Sequence, residues 1–347
     1  MGRTERVTTA ALAIVWIAAL HAGSGDPFAG SGPAYAAPSS LGETGLYASG
    51  SIGTIDPRNR PFSPQYPLWS DGAAKARWIF LPAGTAIDTT DPNDWQFPVG
   101  TKFWKQFAFN GRRVETRFLW RASANDWVFA TYVWNQEGTE ARLAPDAGIR
   151  HVVELAPGRG HDIPGVADCR ACHGERKAGP LGFNALQLST DRDPNAIHGE
   201  PLAPGMTTVA TLDGAGLLAP ARPELVANPP RIRTADPDTR AVLGYFAGNC
   251  GHCHNRAGEI AYDGPSLQHS DVLDGDTVAA VLLAKTTTWQ IPGQPDGASV
   301  MLSRSHPEAS TMLVRMKSRR PSSQMPPLGT NLRDEEAIDV LSRWIAR

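Results

Sequence analysis

Residues 249–255 read NCGHCHN, and residues 168–174 read DCRACHG. These two segments contain all four cysteines of the 347-residue chain, and each has the form Cys-x-x-Cys-His. In an oxidising compartment paired cysteines usually mean disulfides, yet a bridge across two residues closes a tiny loop and stabilises little. A thioredoxin-like dithiol sits at the start of a helix after a strand, whereas DCRACHGERKAGPLGF runs into glycine and proline. Zinc ribbons place their two pairs about 15 to 20 residues apart, and Cys172 is much further than that from Cys250. The spacing therefore points to c-type haem attachment, with zinc or dithiol chemistry as the alternatives. Two thiols one helical turn apart can add to the two vinyl groups of one haem, and the adjacent histidine then faces the iron. On this reading Cys169 and Cys172 hold one haem with His173 as proximal ligand. Cys250 and Cys253 hold a second, with His254.

The N-terminus fits an exported protein. MGRTERVTTAALAIVWIAALHAG carries Arg3 and Arg6, an apolar run from Ala10 to Leu20, then small and polar residues. That is the shape of a secretory signal peptide, and the run is shorter than the about 20 residues that span a bilayer. The expected signal peptide is 1–36, cut after Ala34-Tyr35-Ala36, with a cut after Ala22 as the alternative. No second long apolar run is present, so the expected location is periplasmic or secreted, with no transmembrane anchor. The formal net charge is -2, and nucleic-acid binding would need a Lys/Arg footprint that is absent.

The expected architecture is α+β multidomain: an all-β, sandwich or jelly-roll-like domain at 41–155, a first haem region at 156–234 and a mostly helical C-terminal cytochrome c domain at 235–347. The β region holds Trp69, Trp78, Trp95, Trp104, Trp120, Trp127 and Trp134, seven of the chain's ten tryptophans, and no cysteine. In RRVETRFLWR, Val114, Thr116, Phe118 and Trp120 fall on one face; Glu115, Arg117 and Arg121 fall on the other, with Leu119 the exception. That period of two reads as a half-buried strand, and Asn110-Gly111 as the turn of a hairpin. Further on, ADPDTRAVLGYFAGN reads as a helix capped by Asp236 or Asp238 that delivers the second cysteine segment. NLRDEEAIDVLSRWIAR reads as a terminal helix capped by Asn331, with Ile338, Leu341, Trp344 and Ile345 on one stripe.

Met325, between SSQ and two prolines, is the expected sixth ligand opposite His254; Met312 and Met316, at helical spacing, read as packing. For the first haem the candidates are His161, His198 and Met206, or no ligand at all. His252 reads as a solvent-side spacer, and His151, His269 and His306 as ordinary surface or loop histidines.

The segments YPLWSDGAAKARWIFLPAGTAID, FPVGTKFWKQF, DCRACHG…LGFNALQLS and GNCGHCHN resemble an incompletely characterised family of bacterial exported dihaem c-type cytochromes. HPEASTMLVRM…MPPLGTNLRDEEAIDVLSRWI is similar to the c-type cytochrome domains of exported proteins. The resemblance implies a periplasmic haem protein carrying two haem c groups, with electron transfer as its default role. Its partners would be redox proteins such as a periplasmic dehydrogenase or a terminal acceptor. The competing functions are a dihaem enzyme such as a peroxidase, with an open position on the first iron, and a binding module whose β domain recognises a sugar or a partner protein.

Overall fold

The computed structural model describes residues 35–173, 179–256, 264–295, 297 and 299–347. Met1–Ala36 and Ala37–Arg347 form separate units. The expected signal peptide falls almost wholly outside the described residues, and the fold is that of Ala37–Arg347. Among the described residues no helix is long and apolar enough to cross a membrane.

The strands are β1 (Arg60–Pro61), β2 (Ala74–Phe80), β3 (Ile87–Asp88), β4 (Lys102–Phe109), β5 (Arg112–Arg121), β6 (Trp127–Trp134), β7 (Ala141–Leu143), β8 (Ile149–Ala156), β9 (Arg159–Ile163) and β10 (Leu218–Ala219). The helices are α1 (Val166–His173), α2 (Val209–Gly214), α3 (Pro223–Ala227), α4 (Pro237–Asn249), α5 (Gly275–Leu282), α6 (Thr311–Lys317) and α7 (Glu335–Ile345). The protein is thus α+β, with β-sheet in its N-terminal part and helices in its C-terminal part.

Strands β1-β2-β4-β5-β6-β7 form one antiparallel sheet in that order, and β8-β9 and β10-β3 are two-stranded. Neighbours in the large sheet are mostly neighbours in sequence. It is therefore an up-and-down meander, not the crossed-over jelly roll or two-sheet sandwich expected from the strand pattern. The Asn110-Gly111 turn is present, with φ of 50° and 77° at its two residues, the left-handed pair that a two-residue hairpin of this kind requires.

Both faces of the meander are covered, which the alternation in β5 alone does not reveal. Trp104, Phe118, Ala130, Tyr132 and Trp134 pack on one face against Leu41, Leu46 and Tyr47. The Trp104 indole donates to Thr44 Oγ1 at 2.9 Å, fixing that N-terminal segment. The opposite face carries the charged residues of β5, and they are not solvated: the Glu115 side chain is fully buried and that of Arg117 is 20 % exposed. The first cysteine-bearing segment lies near this second face, where the Arg117 charge acts on Cys169 and Cys172.

The helical part is organised around α4. Its N-cap is Asp236, whose carboxylate accepts from the Asp238 and Thr239 amides, as expected. Its glycines let it approach the N-terminal half closely: a Cβ at Gly244 would run into the Tyr66 ring, and one at Gly248 into the Tyr66 backbone. Tyr66 belongs to one core with Val242, Leu243 and Phe246 of α4, Leu313 and Met316 of α6, and Ile338, Leu341 and Trp344 of α7. Met312 and Met316 pack there as expected. Helix α7 begins later than its pattern suggests: Asp334, not Asn331, is the cap, accepting from the Ala337 amide at 3.1 Å. Asn331 instead bonds across to the β9 strand, donating to the Gly160 carbonyl at 2.7 Å.

Candidate functional site

Helix α1 comes directly after β9 and carries Cys169 and Cys172 three residues apart, hence on one face. Its last residue, His173, lies against the β6 side chain Phe129, with ring centroids 5.4 Å apart. The His173 Nδ1 also hydrogen-bonds the Gly179 carbonyl. Gly179 needs its freedom twice over: φ is +71°, and a Cβ would strike the Trp127 ring.

The second segment leaves the end of α4 as a tight turn. The Cys250 amide closes onto the Phe246 carbonyl at 2.8 Å, and the His254 amide onto the Cys250 carbonyl at 2.8 Å. Asn255 holds the turn from outside, donating to the Gly251 carbonyl at 3.0 Å. Gly251 is pressed against the Leu267 carbonyl, where a Cβ would not fit.

The two segments meet. One donor atom each from Cys172, His252 and Cys253 lies within 4.8 Å of the others, all three residues half-buried. The hydrogen bond between the Cys172 and Cys253 thiols, opposed by burial but aided by His252, depresses the Cys253 pKa. The same bond, with burial, raises that of Cys172. The two thiols are therefore tightly linked in their titration, the loss of one proton being favoured and the loss of the second opposed. Burial pushes the Cys250 thiol up to about 12, and the charge at Cys253 adds to this. Burial raises Cys169 too, against the Arg117 charge. Burial likewise holds His173 down to about 4, in spite of its bond to Gly179, and lowers His254. All four cysteines are free thiols.

His252 does not take the solvent-side place expected of a spacer residue: the tight turn after α4 swings it onto Cys172 and Cys253. The signal for this in the sequence is the His-Cys-His run itself. His269, expected at the surface, is 7 % exposed and lines a pocket with Trp95, Phe97, Phe183, Gln268 and His252.

The remaining candidates are engaged elsewhere or apart. His161 is 1 % exposed and bridges Asp71 Oδ2 at 3.1 Å and Glu115 Oε1 at 3.0 Å. His198 bonds Asp334 at 2.8 Å and lies 3.3 Å from Glu336. The half-buried Met206 donates its amide to the Ala203 carbonyl at 3.2 Å. Met325 is half-buried, its amide bonded to the Arg315 carbonyl at 3.0 Å.

No family model matches the chain, and no curated protein or solved structure matches it. The resemblance to exported dihaem cytochromes thus finds no support. The geometry departs from it as well. Two haem sockets would each be built within one segment, from its own cysteine pair and its own adjacent histidine. The donors that converge come from both segments, far apart in sequence, and the histidine among them is His252, not His173 or His254. The expectation of a dihaem c-type cytochrome, of haem c as cofactor and of haem-based electron transfer is corrected accordingly.

Proposed function

We propose that the two Cys-x-x-Cys-His segments act jointly as one thiolate–imidazole centre for a soft divalent ion of the zinc type, held by Cys172, His252 and Cys253. The observation that carries this reading is the convergence of those three donors within 4.8 Å of one another. Thiolate and imidazole together select zinc over hard cations such as magnesium. Donors about 2.0 to 2.3 Å from a tetrahedral ion lie closer to one another than that limit, so the cluster closes on an ion with little movement. The contact between the two thiols favours loss of one proton, and metal binding would displace the other. When bound, the ion would act as a Lewis acid at its fourth position.

Three protein donors are the number found in catalytic zinc sites, in contrast to the four that close structural ones. His252 also faces the pocket lined by Trp95, Phe97, Phe183 and His269, which provides an approach to the ion. The chain's own residues then divide the work. Cys172, His252 and Cys253 bind; Asn255 fixes the turn that orients His252 and Cys253; Phe129 packs on His173 at the end of α1. The N-terminal leader pattern supports an exported, periplasmic or secreted location.

Cobalt substitution tests this. The Co(II) protein should show sulfur-to-metal charge-transfer absorption and the intense visible bands of a tetrahedral site, and Cys172→Ser/Cys253→Ser should abolish both. Cobalt bound without sulfur absorption would refute it. A second reading, a redox-active Cys172–Cys253 dithiol, is favoured by the direct hydrogen bond between the thiols. Quantitative formation of that disulfide under mild oxidant in metal-replete protein would favour it over the metal centre.

A further inference from the structure

The buried charged face of the meander has an excess of positive charge next to the thiolate–imidazole cluster. Arg77 of β2, Lys105 of β4 and Arg117 of β5 stand directly opposite one another in the sheet register. Lys75 is one step along the same face, opposite Phe107. Like charges directly across strands are destabilising, and buried charges need partners, so such a row calls for a counter-charge.

The carboxylates on this face do not supply enough. Arg77 is paired with Glu200 at 2.8 Å and Arg117 with Glu115 at 2.7 Å. Glu115 is also shared with His161, as is Asp71. Lys75 has no ion pair among the described residues and donates to the Ala73 carbonyl at 3.1 Å. Lys105 has no carboxylate in ion-pair range among the described residues; its ammonium lies 5.0 Å from the centre of the Phe107 ring. Lys75 and Arg117 approach the same ring, at 5.8 and 4.3 Å. Three cations thus gather around one aromatic ring, and the carboxylates that act on them, Glu115, Glu200 and Asp71, are already engaged by Arg117, Arg77 and His161.

We propose that this row, centred on Lys105, binds a small oxyanion, a phosphate or a carboxylate group, as the anionic end of the ligand of this site. Lys75 and Lys105 are half-buried as residues, while the Arg77 and Arg117 guanidiniums are held in place by their carboxylates. Fixed donors with a free lysine at their centre suit an incoming anion, because the charged groups are already oriented. Burial, and to a lesser degree the neighbouring cations, depress the Lys75 and Lys105 pKa values. The row also acts on the cluster side: the Arg117 charge is felt by Cys169 and Cys172, and those of Lys105 and Arg117 by His173. The proposal goes beyond the metal reading and stands whether or not an ion is bound.

The test is calorimetric titration of the full chain with inorganic phosphate, and separately acetate, at low ionic strength, before and after metal removal by chelator. Saturable binding of at least one anion to both forms is expected, weakened roughly tenfold or more by Lys105→Gln, the loss of one charge-assisted contact, and unchanged by Lys317→Gln on the exposed end of α6. In anion-free buffer Lys105→Gln should raise the melting temperature, since it removes a repelled charge, while abolishing the stabilisation that phosphate gives the wild type. Absence of binding, or equal binding by Lys105→Gln, overturns the proposal. Binding that disappears with the metal makes the anion a ligand of the ion and also overturns it. Failure of the metal reading would instead appear as absence of bound ion, with phosphate binding intact.

Discussion

Replacing His161 by alanine should destabilise the protein by about 3 kcal/mol near neutral pH. The imidazole is sandwiched between two carboxylates, 3.1 Å from Asp71 and 3.0 Å from Glu115, and all three side chains are at most 2 % exposed. Each hydrogen bond to a charged group contributes about 1.5 to 3 kcal/mol, and removing one member of a buried pair costs about 3 to 5 kcal/mol. The lower end applies because neither carboxylate is abandoned. Glu115 keeps Arg117 at 2.7 Å, and Asp71 Oδ1 keeps the amides of Asn331 and Leu332 at 2.7 and 2.9 Å. The sign of the pH dependence comes from the raised pKa of His161, where burial is outweighed by the bonds to Asp71 and Glu115. Its stabilisation is complete below about 6.5, the value for the unfolded chain, and is lost as pH rises through the folded-state value. Urea denaturation of wild type and His161→Ala across pH 6 to 9 should therefore show a gap that narrows with rising pH at an unchanged denaturant slope. A gap below about 1 kcal/mol at pH 6, or one that widens with pH, would refute this account of the network.

His269 should act in the opposite direction: burial lowers its pKa to about 4, so stability is lost as pH falls from about 6.5 towards 4. His269→Gln should flatten that limb in pH-dependent thermal melts. Gly244→Ala should cost about 1 to 3 kcal/mol by forcing α4 away from Tyr66, measured by chemical denaturation. Asp334→Ala removes the α7 cap together with the bonds to Tyr245 and His198, and should cost about 2 kcal/mol or more by the same assay.

Local signals in the sequence are legible where one short-range force decides the outcome. The Asn110-Gly111 hairpin, the Asp236 cap and the α7 stripe each depend on backbone sterics or on a single amphipathic face. The meander is less legible, because β5 alternates as a half-solvated strand does. Its charged face is covered by segments distant in sequence, and Glu115, Arg117 and Lys105 give no local sign of that burial. The site is hidden for a related reason. Cys-x-x-Cys-His spacing describes each segment alone, whereas the cluster arises between segments, through a turn fixed by Gly251 and Asn255. His161 and His198 look available as ligands because their carboxylate partners, Asp71, Glu115 and Asp334, come from elsewhere in the chain.

The most direct test of a single shared centre is intact-mass and metal analysis of protein purified from an exported, maturation-competent source. One centre predicts a polypeptide mass free of covalent adducts, with one tightly held zinc-type ion per chain that is lost in Cys172→Ser/Cys253→Ser. A mass increased by covalently attached haem, retained after acid-acetone extraction, would contradict it and return the two segments to separate roles.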